Sequence, residues 1–143
     1  MAKVFFKDCK IIDSNLNNVK KIVLWLTNEL QNLKLDKETI VDIQLALLES
    51  ITNAIIHGNK DNSKKVQIRF SLNDNEIKII VKDEGLGFDY NNIPDPTKDD
   101  KLLCNNGRGI FLIKCVMDHV RWNKLGNQIT MIKKINKKRL DTT

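Results

Sequence analysis

A two-layer α+β sandwich, with helices laid on a mainly antiparallel mixed sheet, is the fold class the 143-residue sequence predicts. Three observations lead to it. Two long stretches of helical apolar spacing come early. Strand-like runs come in pairs joined by short turns. One glycine- and proline-bearing break interrupts the second half, and no repeat, low-complexity tract or linker divides the chain.

Taken in order, residues 4–6 and 11–12 read as a first strand region. Ser14 offers an N-cap to an amphipathic helix carrying Val19, Ile22, Val23, Leu26, Leu30 and Leu33. Asp36 offers a second N-cap, and a longer helix follows to about His57, with Gly58 as its C′ stop. Residues 66–72 and 76–81 read as strands joined by a turn at Asn73-Asp74-Asn75. From Asp83 to about Asn106 the pattern breaks around Gly85, Gly87, Pro94 and Pro96, and a loop of such length is usually functional. Residues 109–119 read as a helix, and 120–124 with 128–135 as a closing hairpin around Gly126.

Composition bounds the function. A 41% hydrophobic and 29% charged chain of this length supports one folded domain, spanning residues 1–143 with a basic tail at 136–143. No run of about 18 apolar residues is present, and the charged start MAKVFFKDCK lacks a signal-peptide core, so the expected location is cytoplasmic, away from membrane. Cys9, Cys104 and Cys115 lack zinc-ligand spacing and are expected to be reduced, mostly buried thiols. The net charge of +6 gathers partly in Lys133, Lys134, Lys137, Lys138 and Arg139. Without aromatic interleaving these read as a solvated tail, and no direct nucleic-acid binding is expected.

Three constellations carry chemistry. In Glu49-Ser50-Ile51-Thr52-Asn53-Ala54-Ile55-Ile56-His57-Gly58, helical spacing puts Ile40, Ile43, Leu47, Ile51 and Ala54 on one face and Glu49 with Asn53 on another. A carboxylate and an amide one turn apart suit a Mg²⁺-phosphate site, although a solvated polar stripe has the same spacing. His57 reads as a helix-ending residue with a satisfied hydrogen bond. In Asp83-Glu84-Gly85-Leu86-Gly87-Phe88-Asp89, two glycines admit close approach to a planar ligand, and a strand-end carboxylate can accept from an exocyclic amine. A plain glycine turn after an edge strand also fits. In Gly107-Arg108-Gly109-Ile110-Phe111-Leu112-Ile113, free N–H groups at a helix start and a guanidinium make an anion site, or simply a solvated helix start.

Together, and in this order, the three resemble the N, G1 and G2 boxes of the GHKL superfamily over roughly residues 36–135, most closely the anti-sigma-factor serine kinases; Met117-Asp118-His119-Val120 resembles that family's ending. The resemblance implies a Bergerat-type sandwich that binds ATP and Mg²⁺. It makes Asn53 the Mg²⁺ ligand, Asp83 the partner of the adenine amine, Gly85 and Gly87 the room for base and sugar, and Gly107, Arg108 and Gly109 the lid over the phosphates. Glu49 would be the general base. The implied partners are a sigma factor and an anti-anti-sigma protein of the STAS type, with a homodimer left open. The sequence departs from the family at Asn127 and Gln128, where threonines often support the adenine. Two other functions remain in view. One is a nucleotide-gated binding module for a non-sigma partner; the other is a stand-alone histidine-kinase catalytic domain.

Overall fold

The computed structural model describes residues 4–61, 63–87 and 105–135. Its elements run β1 (Val4–Asp13), α1 (Leu16–Asn32), α2 (Lys37–Asn53), a π-helical segment (Ala54–Asn59), β2 (Lys65–Asn73), β3 (Glu76–Lys82), α3 (Asn105–Val116), β4 (His119–Trp122) and β5 (Gln128–Lys134). The five strands form one sheet in the order β1-β2-β3-β5-β4. Every described pairing is antiparallel, which narrows the expected mixed sheet. The chain crosses from β3 through α3 to the far edge, and β5 then returns between β3 and β4, so those two same-sense strands never pair.

The helices lie on one face of the sheet, where strand alternation turns one row of side chains inward. Val66, Ile68, Phe70 and Leu72 of β2, Ile77, Ile79 and Val81 of β3, and Met131 of β5 meet Leu26, Leu30, Ile43, Leu47, Ile51 and Ile113 from the helices. Burying each such side chain contributes about 1.5–3 kcal/mol relative to exposure. Trp25 of α1 packs against Phe70 with ring centroids 5.2 Å apart, and Lys10 of the edge strand sits over its indole. α2 runs between α1 and α3 and touches both. The stretch Lys37–Asn59 is long and apolar enough to cross a membrane by composition, at mean hydropathy 1.4, but half of that window is buried as this central helix.

Four local expectations are corrected. The cap of α1 is Asn15, whose side chain accepts from Asn17 N, because Ser14 is drawn inward by partners 45 and 50 residues away. Asp36 does cap α2, accepting from Thr39 N at 2.9 Å. Gly58 is not the helix stop: the helix widens into the π segment, and Lys60 takes the left-handed terminal position at φ 58°. Lys133 is no part of a solvated tail. Its ammonium donates to Asp42 Oδ2 at 2.8 Å and to Val116 O at 2.6 Å, tying β5 to α2 and closing the C-terminus of α3. Cys9 and Cys115 are exposed free thiols, on the open face of the edge strand and the outer side of α3, so the expected burial does not hold for them. Cys104 and the basic tail lie outside the described residues.

Candidate functional site

The site forms where α2 changes pitch. Its core stripe, Ile40, Ile43, Leu47, Ile51 and Ala54, is buried as the spacing predicts, leaving Glu49 and Asn53 on a half-buried flank. Over residues Ala54–Asn59 the ladder lengthens, and Lys60 N reaches back to Ile55 O at 3.1 Å. Such single π turns are frequent at functional sites. Here the widened turn carries Gly58 against the end of β3. A Cβ on Gly58 would lie 2.4 Å from the Asp83 carboxyl, and one on Gly85 would lie 2.2 Å from Gly58 O. Only glycine at both positions lets the strand-end loop close onto the helix.

Asp83 is held on several sides. Its N–H donates to Asn127 O at 2.9 Å, and its Oδ1 accepts from Gly85 N at 2.7 Å. Gly87, at φ 88°, lies under the β4–β5 turn, where a Cβ would meet Leu125 O at 1.8 Å. That turn is itself knitted by Asn123, whose Oδ1 accepts from the N–H groups of Gly126, Asn127 and Gln128. Burial pushes the Asp83 carboxyl above its ordinary range; the Gly85 N–H and the nearby Lys64 charge offset this only in part. A carboxylate strained in this way gains from a ligand that donates a hydrogen bond to it.

The other end of the site is built from helix against helix. Gly109, buried in the first turns of α3, faces Glu49 and Asn53: a Cβ there would lie 2.7 Å from Glu49 Oε2 and 3.3 Å from Asn53 Nδ2. The side chains of Glu49 and Asn53 make no hydrogen bond among the described residues. Arg108, the neighbour of Gly109 in α3, is exposed, and Gly107 lies in the first turn of α3, two residues inside the helix start rather than before it. A cavity of about 220 Å³ joins the two ends, lined among others by Asn53, His57, Asp83 and Gly87.

Of the candidates read from sequence, Asn53, Asp83 and Gly87 thus line one cavity, Gly85 backs Asp83, and Glu49 and Gly109 adjoin Asn53. His57 sits within the π segment and lines the cavity instead of ending the helix; burial and the Lys60 charge hold its imidazole below the usual range. Of the loop expected from Asp83 to about Asn106, residues 88–104 lie outside the described residues, and Asn105 and Asn106 belong to α3. Asn127 and Gln128, the departures from the family pattern, also line the cavity. Sequence reasoning gave no role to Trp122, which lines it, or to Asn59 and Asn123, which brace it. Asn59, a small polar residue beside Gly58, carried a local signal; Trp122 and Asn123 carried none. No group of three or more His, Cys, Asp or Glu side chains able to hold a metal occurs among the described residues. This donor set suits an ion carried largely by a ligand's own phosphate oxygens.

Helices over an open antiparallel sheet, with a cavity between a strand-end aspartate and a helix-borne carboxylate–amide pair, define the class. The chain belongs to the histidine kinase-like ATPase domain family, whose description matches residues 12–133. Within that class it is 31% identical over 111 residues to the serine-protein kinase RsbW of Bacillus thuringiensis, covering 73% of this chain and 69% of that protein. It is 35% identical over 112 residues to the serine-protein kinase RsbW of Staphylococcus epidermidis, covering 72% and 70%. Its fold matches the crystal structure of the RsbU and RsbW domains of a Mycobacterium tuberculosis protein with a TM-score of 0.61 at 15% identity. That match covers 92% of this chain and 32% of the longer one, and it bears on the fold alone.

Proposed function

We propose that this protein is an ATP-dependent protein serine kinase that also acts as an anti-sigma factor, binding a sigma factor and phosphorylating a serine of an anti-anti-sigma partner of the STAS type. The observation that carries the reading is that Gly109 meets Glu49 and Asn53, and that Asn53 lines the same cavity as Asp83. It supports a base-reading part at Asp83 distinct from a reacting part at Glu49 and Asn53, and the similarity to the RsbW kinases supports the choice of serine.

In this reading Asp83 accepts from the adenine amine while Gly85 and Gly87 leave room for base and sugar. The backbone around Gly107 and Gly109, with Arg108, receives the phosphates. The partner's serine oxygen forms its bond to the γ-phosphorus as the bond to the β-bridging oxygen breaks and ADP leaves. The serine proton passes to the Glu49 carboxylate. A Mg²⁺ ion held by Asn53 Oδ1 and the phosphates would supply charge neutralisation, the larger part of catalysis in such reactions.

The test is transfer from labelled Mg-ATP to a STAS-domain protein, comparing the wild type with Glu49→Ala. A base-labile, acid-stable phosphoserine is expected, with transfer falling roughly 10²–10⁴-fold in the variant and nucleotide affinity changing little. Transfer that survives Glu49→Ala would remove Glu49 from the chemistry. Nucleotide-dependent partner binding with no transfer by the wild type would replace the kinase with a nucleotide-gated binding module, and an acid-labile product would point to histidine as the acceptor.

A further inference from the structure

Asn59 ends the π segment, is only 2% exposed, and carries a primary amide in a place where most buried residues are apolar. Its oxygen accepts from Glu84 N at 2.6 Å. Its nitrogen donates to Ser14 Oγ at 2.7 Å and to Lys65 O at 2.9 Å, using both N–H groups. Ser14 Oγ in turn donates to Lys64 O at 2.7 Å. Glu84, the residue between Asp83 and Gly85, is therefore clamped twice, since its Oε1 also accepts from Lys65 N at 2.8 Å. These bonds join four separate stretches of chain around the peptide that follows Asp83, and Ser14, Asn59, Lys65 and Glu84 are not among the residues that line the cavity. A buried amide this fully engaged costs much to misplace, because each broken bond leaves a partner unsatisfied.

We propose that Asn59 is a positioning residue for base recognition: by holding Glu84 N through Oδ1 it sets the Asp83–Gly85 turn so that the Asp83 carboxylate faces the base. The inference rests on the reading of Asp83 as the partner of the adenine amine. Asn59 reaches no ligand itself; it acts through the peptide that follows Asp83. The oxygen does the aiming, while the two N–H groups anchor the amide to the β1–α1 junction and to the start of β2.

That division of labour separates positioning from plain stability. The probes are ADP and inosine diphosphate, which carries a carbonyl oxygen where adenine has its amine. Affinities are measured by titration calorimetry, with thermal unfolding run in parallel, on the full chain. Wild type is expected to prefer ADP by roughly 10- to 100-fold, the range of a charge-assisted hydrogen bond. Asn59→Ala removes oxygen and nitrogen alike, and its preference for ADP should fall by about fivefold or more. Asn59→Asp keeps an oxygen toward Glu84 N but loses both donors, so its melting temperature should drop while its preference stays within about twofold of wild type. If Asn59→Ala does not fold, the isosteric Asn59→Asp still decides: a destabilised variant that keeps the preference supports positioning by the oxygen. A preference that falls in step with stability in Asn59→Asp, or an unchanged preference in a folded Asn59→Ala, overturns it. A wild type that binds both nucleotides equally would instead sink the reading of Asp83, a distinguishable failure.

Discussion

The two ends of the cavity are built on opposite principles. Around Asp83 nearly every polar group is spoken for: Gly85, Asn59, Asn127 and Asn123 fix the loop and the neighbouring turn through hydrogen bonds, and Gly58 and Gly85 are in close backbone contact. Around Glu49 and Asn53 the side chains have no hydrogen-bond partner among the described residues, and the bare backbone of Gly109 lies against them. A site that reads a rigid base gains by having its donors and acceptors positioned before the ligand arrives. A site that must take up a metal-bound phosphate and move a proton gains by keeping oxygen lone pairs uncommitted. The comparison teaches that the same helix, regular at Glu49 and widened at Gly58, serves both needs within about two turns.

Substituting the glycines should break the comparison most sharply. Gly85→Ala drives a Cβ into the Gly58 carbonyl, which is backbone and cannot swing aside. The expected cost is roughly 3 kcal/mol of stability, read by urea unfolding, with nucleotide binding lost as well. Gly109→Ala meets the far end of the Glu49 side chain, which can move. It should cost less than about 1 kcal/mol yet slow phosphoryl transfer roughly 10- to 100-fold, since misplacing a catalytic group by an ångström is that expensive. Equal stability losses in the two variants would erase the distinction between a pre-built and an adaptable end.

A smaller effect, opposite in sign for stability and binding, is expected of Asp83→Asn. Because burial raises the folded-state pKa of Asp83, the native state holds its proton more tightly than the unfolded chain. The contribution is full below the ordinary value of 3.8 and is lost as pH rises through the raised folded-state value. At neutral pH the buried charge thus lowers stability. The variant should melt higher than wild type without ligand, and bind ADP about tenfold or more weakly. A variant that melts lower would show that the carboxylate stabilises the fold.

His57 should give the smallest change. Its folded-state pKa lies below the ordinary 6.5, so the unfolded chain binds the proton more readily. Stability is present above pH 6.5 and is lost as pH falls toward the lowered value. His57→Gln should flatten that limb of the stability profile below pH 6.5, with little change at pH 8. An unaltered profile would assign the acid sensitivity to other groups.

Much of the architecture was legible because it is local. The stripe Ile40, Ile43, Leu47, Ile51 and Ala54 repeats at helical spacing, and the alternation from Val66 to Leu72 repeats every second residue; both are buried as those periods require. The polar pair Glu49 and Asn53 stood out for the same reason, as did the Asp36 cap and the strand-end glycines. Ser14, Gly58 and Lys133 were misread because each has its decisive partner far off in sequence: Asn59, Asp83 and Asp42 respectively.

By itself, then, the amino-acid order determined the element types, the face each buries and the residue kinds that could meet a nucleotide, because these follow from short-range periodicity and backbone sterics. Only the tertiary structure decided that α2 ends in a π turn, that β5 inserts between β3 and β4, and that Asn59 holds the N–H of the residue after Asp83. Those outcomes depend on which distant backbone groups must find hydrogen-bond partners once the core closes, and no local pattern records that requirement.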